Sequence, residues 1–238
     1  MKRFLGPLIL LCICVTGNLF AYTDVIDVPT AEVVNYYTMD LNFRLYSGGG
    51  VLSRINFGVL KRVNIGGSVD IDKLIGKEAP SIRPPALNLK FRVFDGSQKF
   101  PALAVGYSGQ GYRYEESSGT YLDREKGLYF VGSIEALTEG LWWHVGTNIN
   151  FTREDNRDKS NFYAFLGFNY DIEEDNKKML SFMAEYDNLN DLRNSRLNSG
   201  LRFFPAENIH VDLSIKDIAS QHGFPTERFL SINYQGNF

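Results

Sequence analysis

The residues with chemistry to offer are few. The 238-residue chain has three histidines and two cysteines, Cys12 and Cys14. His144 and His210 fall on alternating stretches read as strands, and His222 falls in a polar connection. Ser214 and Asp212 share a face with His210, which invites comparison with a Ser–His–acid arrangement. That chemistry needs the base within reach of both partners, and such neighbours arise in any polar interior. No histidine, cysteine or acidic motif has metal-ligand spacing, and neither metal nor cofactor is expected. Gly48-Gly49-Gly50 is a turn and not a phosphate loop, because no helix follows it. The formal charge of −3 gives no basic footprint for nucleic acid. Enzymatic function is therefore not expected; a lipid-modifying barrel enzyme is the third option.

The remaining charges follow a rule of position. Arg44, Arg54, Asp70, Asp72, Lys90, Arg92, Glu185, Arg202, Asp212 and Lys216 each alternate with apolar residues. Leu87, Leu89, Phe91 and Val93 stand against Asn88, Lys90 and Arg92, and Leu230, Ile232 and Tyr234 stand against Ser231, Asn233 and Gln235. A period of two puts one set on each face of a strand. Twelve such segments follow one another between residues 36 and 238, the last ending on the aromatic Phe238. Residues 127–135 are ambiguous, with apolar residues on both faces.

The longer connections follow strands three, five, seven, nine and eleven, and the shorter ones follow the even strands. Only the first hairpin departs. Membrane barrels sort their loops in this way, with short periplasmic turns and long outer loops. The expected fold is all-β, a closed antiparallel up-and-down transmembrane barrel. Mean hydropathy of −0.21 fits, since alternation keeps the average low. Turning the charged set toward lipid would cost ~2–4 kcal/mol for each midplane cation, so that set is assigned to the lumen.

Arg44, Arg54, Asp70 and Asp72, on three consecutive strands, are expected to form a salt-bridged network that narrows the pore. Aromatics near strand ends (Tyr46, Phe151, Tyr170, Tyr186, Phe203, Phe229, Phe238) suit interfacial girdles. Connection 110–126 carries Tyr112, Tyr114 and Tyr121, which could stack on sugar rings, and 153–161 is a second charged loop.

Lys2 and Arg3 precede an apolar run from Phe4 to Val15, so residues 1–21 are expected to be a secretory signal peptide cleaved after Ala21. Cleavage would remove both cysteines and two positive charges, taking the formal charge from −3 to −5. Residues 22–35 are irregular, with Pro29 arguing against a strand. They are expected to lie in the periplasm or to enter the barrel.

Asp27-Val28-Pro29-Thr30-Ala31-Glu32, Asp40 to Gly50, Asn88-Leu89-Lys90-Phe91-Arg92 and Ala104-Val105-Gly106-Tyr107 together resemble the YjbH-like outer-membrane barrel proteins. The resemblance implies a barrel associated with exopolysaccharide production or export. It carries over no functional residue. The expected role is porin-like transport in the bacterial outer membrane, with a non-conducting structural or loop-binding barrel as the alternative. Expected partners are outer-membrane lipid and lipopolysaccharide, the barrel-assembly machinery through the terminal strand, and polysaccharide.

Overall fold

The computed structural model describes residues 21–151, 161–175, 177–191, 195–218 and 226–238. The expected signal sequence (apart from Ala21), loop 153–160 and His222 lie outside these residues.

Among the described residues, twelve long strands form one closed antiparallel sheet, to which the two-residue strand Ser81–Ile82 adds opposite Ile71 and Asp72. They are β1 (Thr38–Tyr46), β2 (Gly50–Leu60), β3 (Val63–Asp72), β4 (Ala86–Phe94), β5 (Ala102–Ser108) and β6 (Gly127–Glu135). Then come β7 (Leu141–Ile149), β8 (Phe162–Glu174), β9 (Lys177–Asp187), β10 (Arg196–Ala206), β11 (Ile209–Lys216) and β12 (Glu227–Asn237). Each pairs with its neighbours in sequence. The first and last close the cylinder, with Met39 opposite Gly236 and Phe43 opposite Ile232. Closure satisfies every strand edge, which a sheet in hydrocarbon requires.

The alternation sorts the side chains as the period of two dictates. Leu89, Phe91, Val145, Phe182, Leu213 and Ile232 are exposed on the outside, whereas Lys90, Glu185, Arg202, Asp212 and Lys216 are buried within. In β6, Leu128 and Phe130 face out while Tyr129 and Val131 are buried inside. Pro205 lies within β10, where the pairing register shifts between Phe203 and Ala206. A proline has no N–H for the ladder, and the bulge is where a strand tolerates one.

Two girdle aromatics belong elsewhere. Tyr46 and Phe229 are buried in the bore, because their strand positions share parity with Arg44 and Glu227. Phe151 and Phe238 are exposed, and Phe238 packs edge-on against Phe57 with ring centroids 5.4 Å apart.

Connection 109–126 is not a simple surface loop. It holds a hairpin, Tyr112–Glu115 paired with Thr120–Asp123, which reaches the bore through Tyr112 and Asp123, both buried.

Candidate functional site

The bore is occupied by the chain's own residues 21–35. This stretch has no strand periodicity. It folds back on itself, with Val25 N–H donating to Val28 O at 2.9 Å and Thr30 N–H to Thr23 O at 3.0 Å. Its remaining backbone groups must find partners on the barrel wall, since buried peptide groups are rarely left unpaired. The inward charges supply them.

Glu185 of β9 accepts from the backbone N–H groups of Ile26 (3.1 Å), Asp27 (2.9 Å) and Val28 (2.8 Å), and from Asn198 Nδ2 at 2.7 Å. Lys90 on β4 donates to the carbonyls of Thr23, Thr30 and Glu32 at 2.7, 3.1 and 3.2 Å. Arg92 donates to Ala31 O at 2.9 Å and pairs with Glu32 at 2.6 Å. Arg202 grips Asp212 with two bonds, at 2.8 and 3.0 Å, and also donates to Val25 O at 3.1 Å. Arg44 and Lys216 both pair with Asp27, and Arg44 donates further to Ile26 O at 2.7 Å.

Apolar packing completes the seal. Val25 and Ile26 cluster with Leu52, Met183, Tyr112 and Phe229. Val28 and Ala31 cluster with Ala104, Tyr129, Val131 and Phe165. Tyr129 and Val131 are the inward apolar residues that blurred the facing of β6. A Cβ at Gly167 would stand 3.2 Å from both Val25 and Val28, so the wall is shaped to the segment.

The four residues expected to pair among themselves do not. Arg44 turns to Asp27, and Arg54 to Asp24 at 3.6 Å. Asp70 and Asp72 both face the Tyr46 hydroxyl, at 2.8 and 2.9 Å, and Asp72 also takes Arg83 at 2.8 Å. The physical reason is that residues 21–35 offer Arg44 and Arg54 nearer carboxylates, while Tyr46 and Arg83 take Asp70 and Asp72.

The tyrosines of the hairpin part company. Tyr112 is buried, its hydroxyl 2.7 Å from Lys216 Nζ and 3.1 Å from Arg44, so it is not a solvent-facing sugar platform. Tyr114 stacks under Arg83, whose Cζ lies 3.8 Å from the ring centroid. Tyr121 accepts from Gln110 at 3.1 Å and borders a cavity of about 190 Å³.

Electrostatics favour the ionic anchors. Burial alone would raise the Asp27 carboxyl, but Lys216 and Arg44 outweigh it and hold the group well below the ordinary 3.8. Burial opposes ionisation of Asp123 in the same way, and Lys216 and Arg196 again lower it on balance.

Catalytic candidates fare poorly. His210 and Ser214 lie four positions apart on one strand, ~13 Å at the usual rise, too far for proton transfer. Asp212 is engaged by Arg202. The sequence reading missed a different set: Ser133 Oγ lies 2.7 Å from His144 Nδ1, and His144 Nε2 lies 2.9 Å from Asn169. Ser133 accepts the Ala31 N–H at 2.8 Å beneath the segment, which is an anchoring role. Its signal was a serine and a histidine at matching inward positions of adjacent strands.

No family model and no curated protein matches the sequence. Among solved structures, the chain is similar to a KdgM porin with a TM-score of 0.51 and 10% identity, over 83% of this chain and 98% of that one. A NanC porin gives a TM-score of 0.41 and 9% identity over 84% and 99%. At such identities the likeness to the first is one of fold, and the fold is that of a porin barrel.

Proposed function

We propose that this chain is a porin-like barrel of the bacterial outer membrane, held shut by its own residues 21–35, that passes hydrophilic solute when that segment leaves the bore. The observation that carries this reading is Glu185, a wall carboxylate that collects three consecutive backbone N–H groups of the segment. A wall that needed only to be stable could be filled by side chains across the bore, as narrow barrels are. Here it is fitted to one short stretch, whose withdrawal would leave the wall's charges and amides facing the bore together with inward Tyr129, Val131, Phe165 and Met183 and the hairpin at Tyr112 and Asp123.

Export through the inner membrane follows from the leader in residues 1–21. Assembly follows from recognition of the terminal strand with Phe238 by the barrel-assembly machinery, and the apolar exterior then meets lipid and lipopolysaccharide. The resemblance to YjbH-like barrels supports exopolysaccharide as the material carried.

The test is conductance in a planar bilayer. The refolded chain without its leader should be nearly silent, and the same chain lacking residues 22–35 should conduct steadily. The truncated barrel's foldedness is checked by its heat-modifiable gel migration. A folded, truncated barrel that stays silent would favour the second reading, a non-conducting scaffold or ligand-binding barrel, which the hairpin at Tyr112 and Asp123 independently supports.

A further inference from the structure

Two parts of the chain enter the bore from opposite ends. Residues 21–35 start near the Phe238 end, where the Gln235 side chain bonds both the N–H and the carbonyl of Ala21, at 3.2 and 2.7 Å. The hairpin of residues 112–123 comes in from the other end. There Arg113 spans Asp123 and Glu227, at 3.2 Å each, and Glu227 takes the N–H and hydroxyl of Ser47 at 2.7 and 2.8 Å. The two strands of the hairpin pair with each other in a sheet separate from the barrel, so side chains fasten it to the wall. Arg196 and Lys216 both pair with Asp123, and Arg196 also donates to Leu122 O at 2.7 Å.

The two insertions meet at one hydroxyl. A tyrosine has a single O–H proton to donate and oxygen lone pairs to accept with. Tyr112 donates its proton to Asp27 at 3.3 Å, and accepts from Arg44 at 3.1 Å and from Lys216 at 2.7 Å. Its ring belongs to the cluster that holds Val25 and Ile26. Asp27 and Asp123 alone would repel one another, but the buried Lys216 pairs with both and ties the segment to the hairpin. The base of the hairpin is also strained. Arg113 has φ 59°, a left-handed conformation that costs a non-glycine residue energy, and its ion pairs to Asp123 and Glu227 brace it there.

We infer that the hairpin is the second half of the closure, and that it and residues 21–35 hold each other in the bore through Tyr112 and Lys216. The inference rests on the porin-like reading of residues 21–35 as a removable plug, and adds that the closure can be released from either end. Withdrawal of the segment takes from the hairpin the acceptor of the Tyr112 proton, one of the two carboxylates on Lys216 and the apolar partners of the Tyr112 ring. Withdrawal of the hairpin takes the matching contacts from Asp27, Val25 and Ile26. Such coupling is reciprocal, so it must be visible in both directions.

The experiment reads each insertion while the other is disturbed, in refolded barrels expressed from Ala21 onward, which lack Cys12 and Cys14. For the hairpin, nitroxides on Ser118→Cys at its exposed turn and on Val145→Cys of the wall give a distance distribution by pulsed electron resonance. Deletion of residues 22–35 should shift and broaden that distribution. For the segment, the buried Val28→Cys reports its release through the rate of maleimide alkylation. Tyr112→Phe, which keeps the ring and removes the hydroxyl, should speed that alkylation about tenfold, the low-end effect of one hydrogen bond to a charged group. Asp123→Asn should speed it as well, and serves if Tyr112→Phe does not fold. An unchanged distance distribution in the folded, truncated barrel, or unchanged alkylation in the folded variants, would overturn the coupling. Conductance is read separately: a truncated barrel that is silent with its hairpin displaced counts against the pore alone, and one that conducts with its hairpin in place counts against the coupling alone.

Discussion

Replacing Glu185 should open the barrel without unfolding it. In the closed state its carboxylate takes three backbone N–H groups of residues 26–28 within 2.8–3.1 Å. With the segment withdrawn, those groups and the carboxylate would be hydrated. Glu185→Ala removes the acceptor only where water cannot substitute freely. Each stranded donor costs ~1–3 kcal/mol. Taking the low end for all three gives about 3 kcal/mol against the closed state, or on the order of a hundredfold in the closed-to-open ratio. Glu185→Gln retains one carbonyl acceptor, so its cost is nearer 1–1.5 kcal/mol, about tenfold. The assay is single-channel recording of wild type and both variants, scoring the fraction of time open, with the circular dichroism of the sheet as a control. The expected order of open fraction is Ala above Gln above wild type. Two folded variants with an open fraction equal to wild type would refute the reasoning, because the segment would then be held by something other than this carboxylate.

Three further outcomes follow from the same geometry. Asp27 is depressed in the closed state, so its contribution is complete above the ordinary carboxylate range and is lost only as pH falls through the lowered value. Asp27's own contribution to closure should hold from pH 8 to about 4, and an opening transition above pH 5 that Asp27→Asn abolishes would contradict it. Val145 faces outward and is 56% exposed; Val145→Lys should lower barrel stability in lipid vesicles by ~2–4 kcal/mol in urea unfolding, with little loss if the face met water instead. Phe238→Ala should reduce the amount of assembled barrel recovered in outer membranes while leaving refolding into detergent intact, and equal recovery would remove the terminal aromatic from the assembly signal.

The strands were legible because one buried bore and one lipid face impose a strict period of two, and a slip by one residue would invert every side chain. Inward Lys90, Arg92 and Arg202 could be placed from that alone. Their partners could not. The stretch from Tyr22 to Asn35 has no periodicity, and a peptide whose hydrogen bonds are made to wall side chains leaves no pattern in its own sequence. The clue lay on the other side of the contact. Tyr129, Val131, Phe165 and Met183 are apolar at inward positions, and a water-filled bore has no use for them; they pack on Val25, Ile26, Val28 and Ala31. The hairpin was misread for a related reason. Tyrosines and acids suit a solvated loop and a polar lumen equally, and only the fold shows Tyr112 buried between Arg44 and Lys216.

The occupied bore can be tested by a cross-link. A Cβ at Gly167 would lie 3.6 Å from the Cβ of Val28, within the span that a disulfide bridges. Both cysteines, Cys12 and Cys14, precede residue 21, so in a chain expressed from Ala21 onward Val28→Cys with Gly167→Cys introduces the only two thiols. The pair should oxidise in the assembled barrel, silence its openings, and release them on reduction. Failure of the two thiols to join in a folded barrel, or an oxidised barrel that conducts as freely as the reduced one, would contradict a bore closed by residues 21–35.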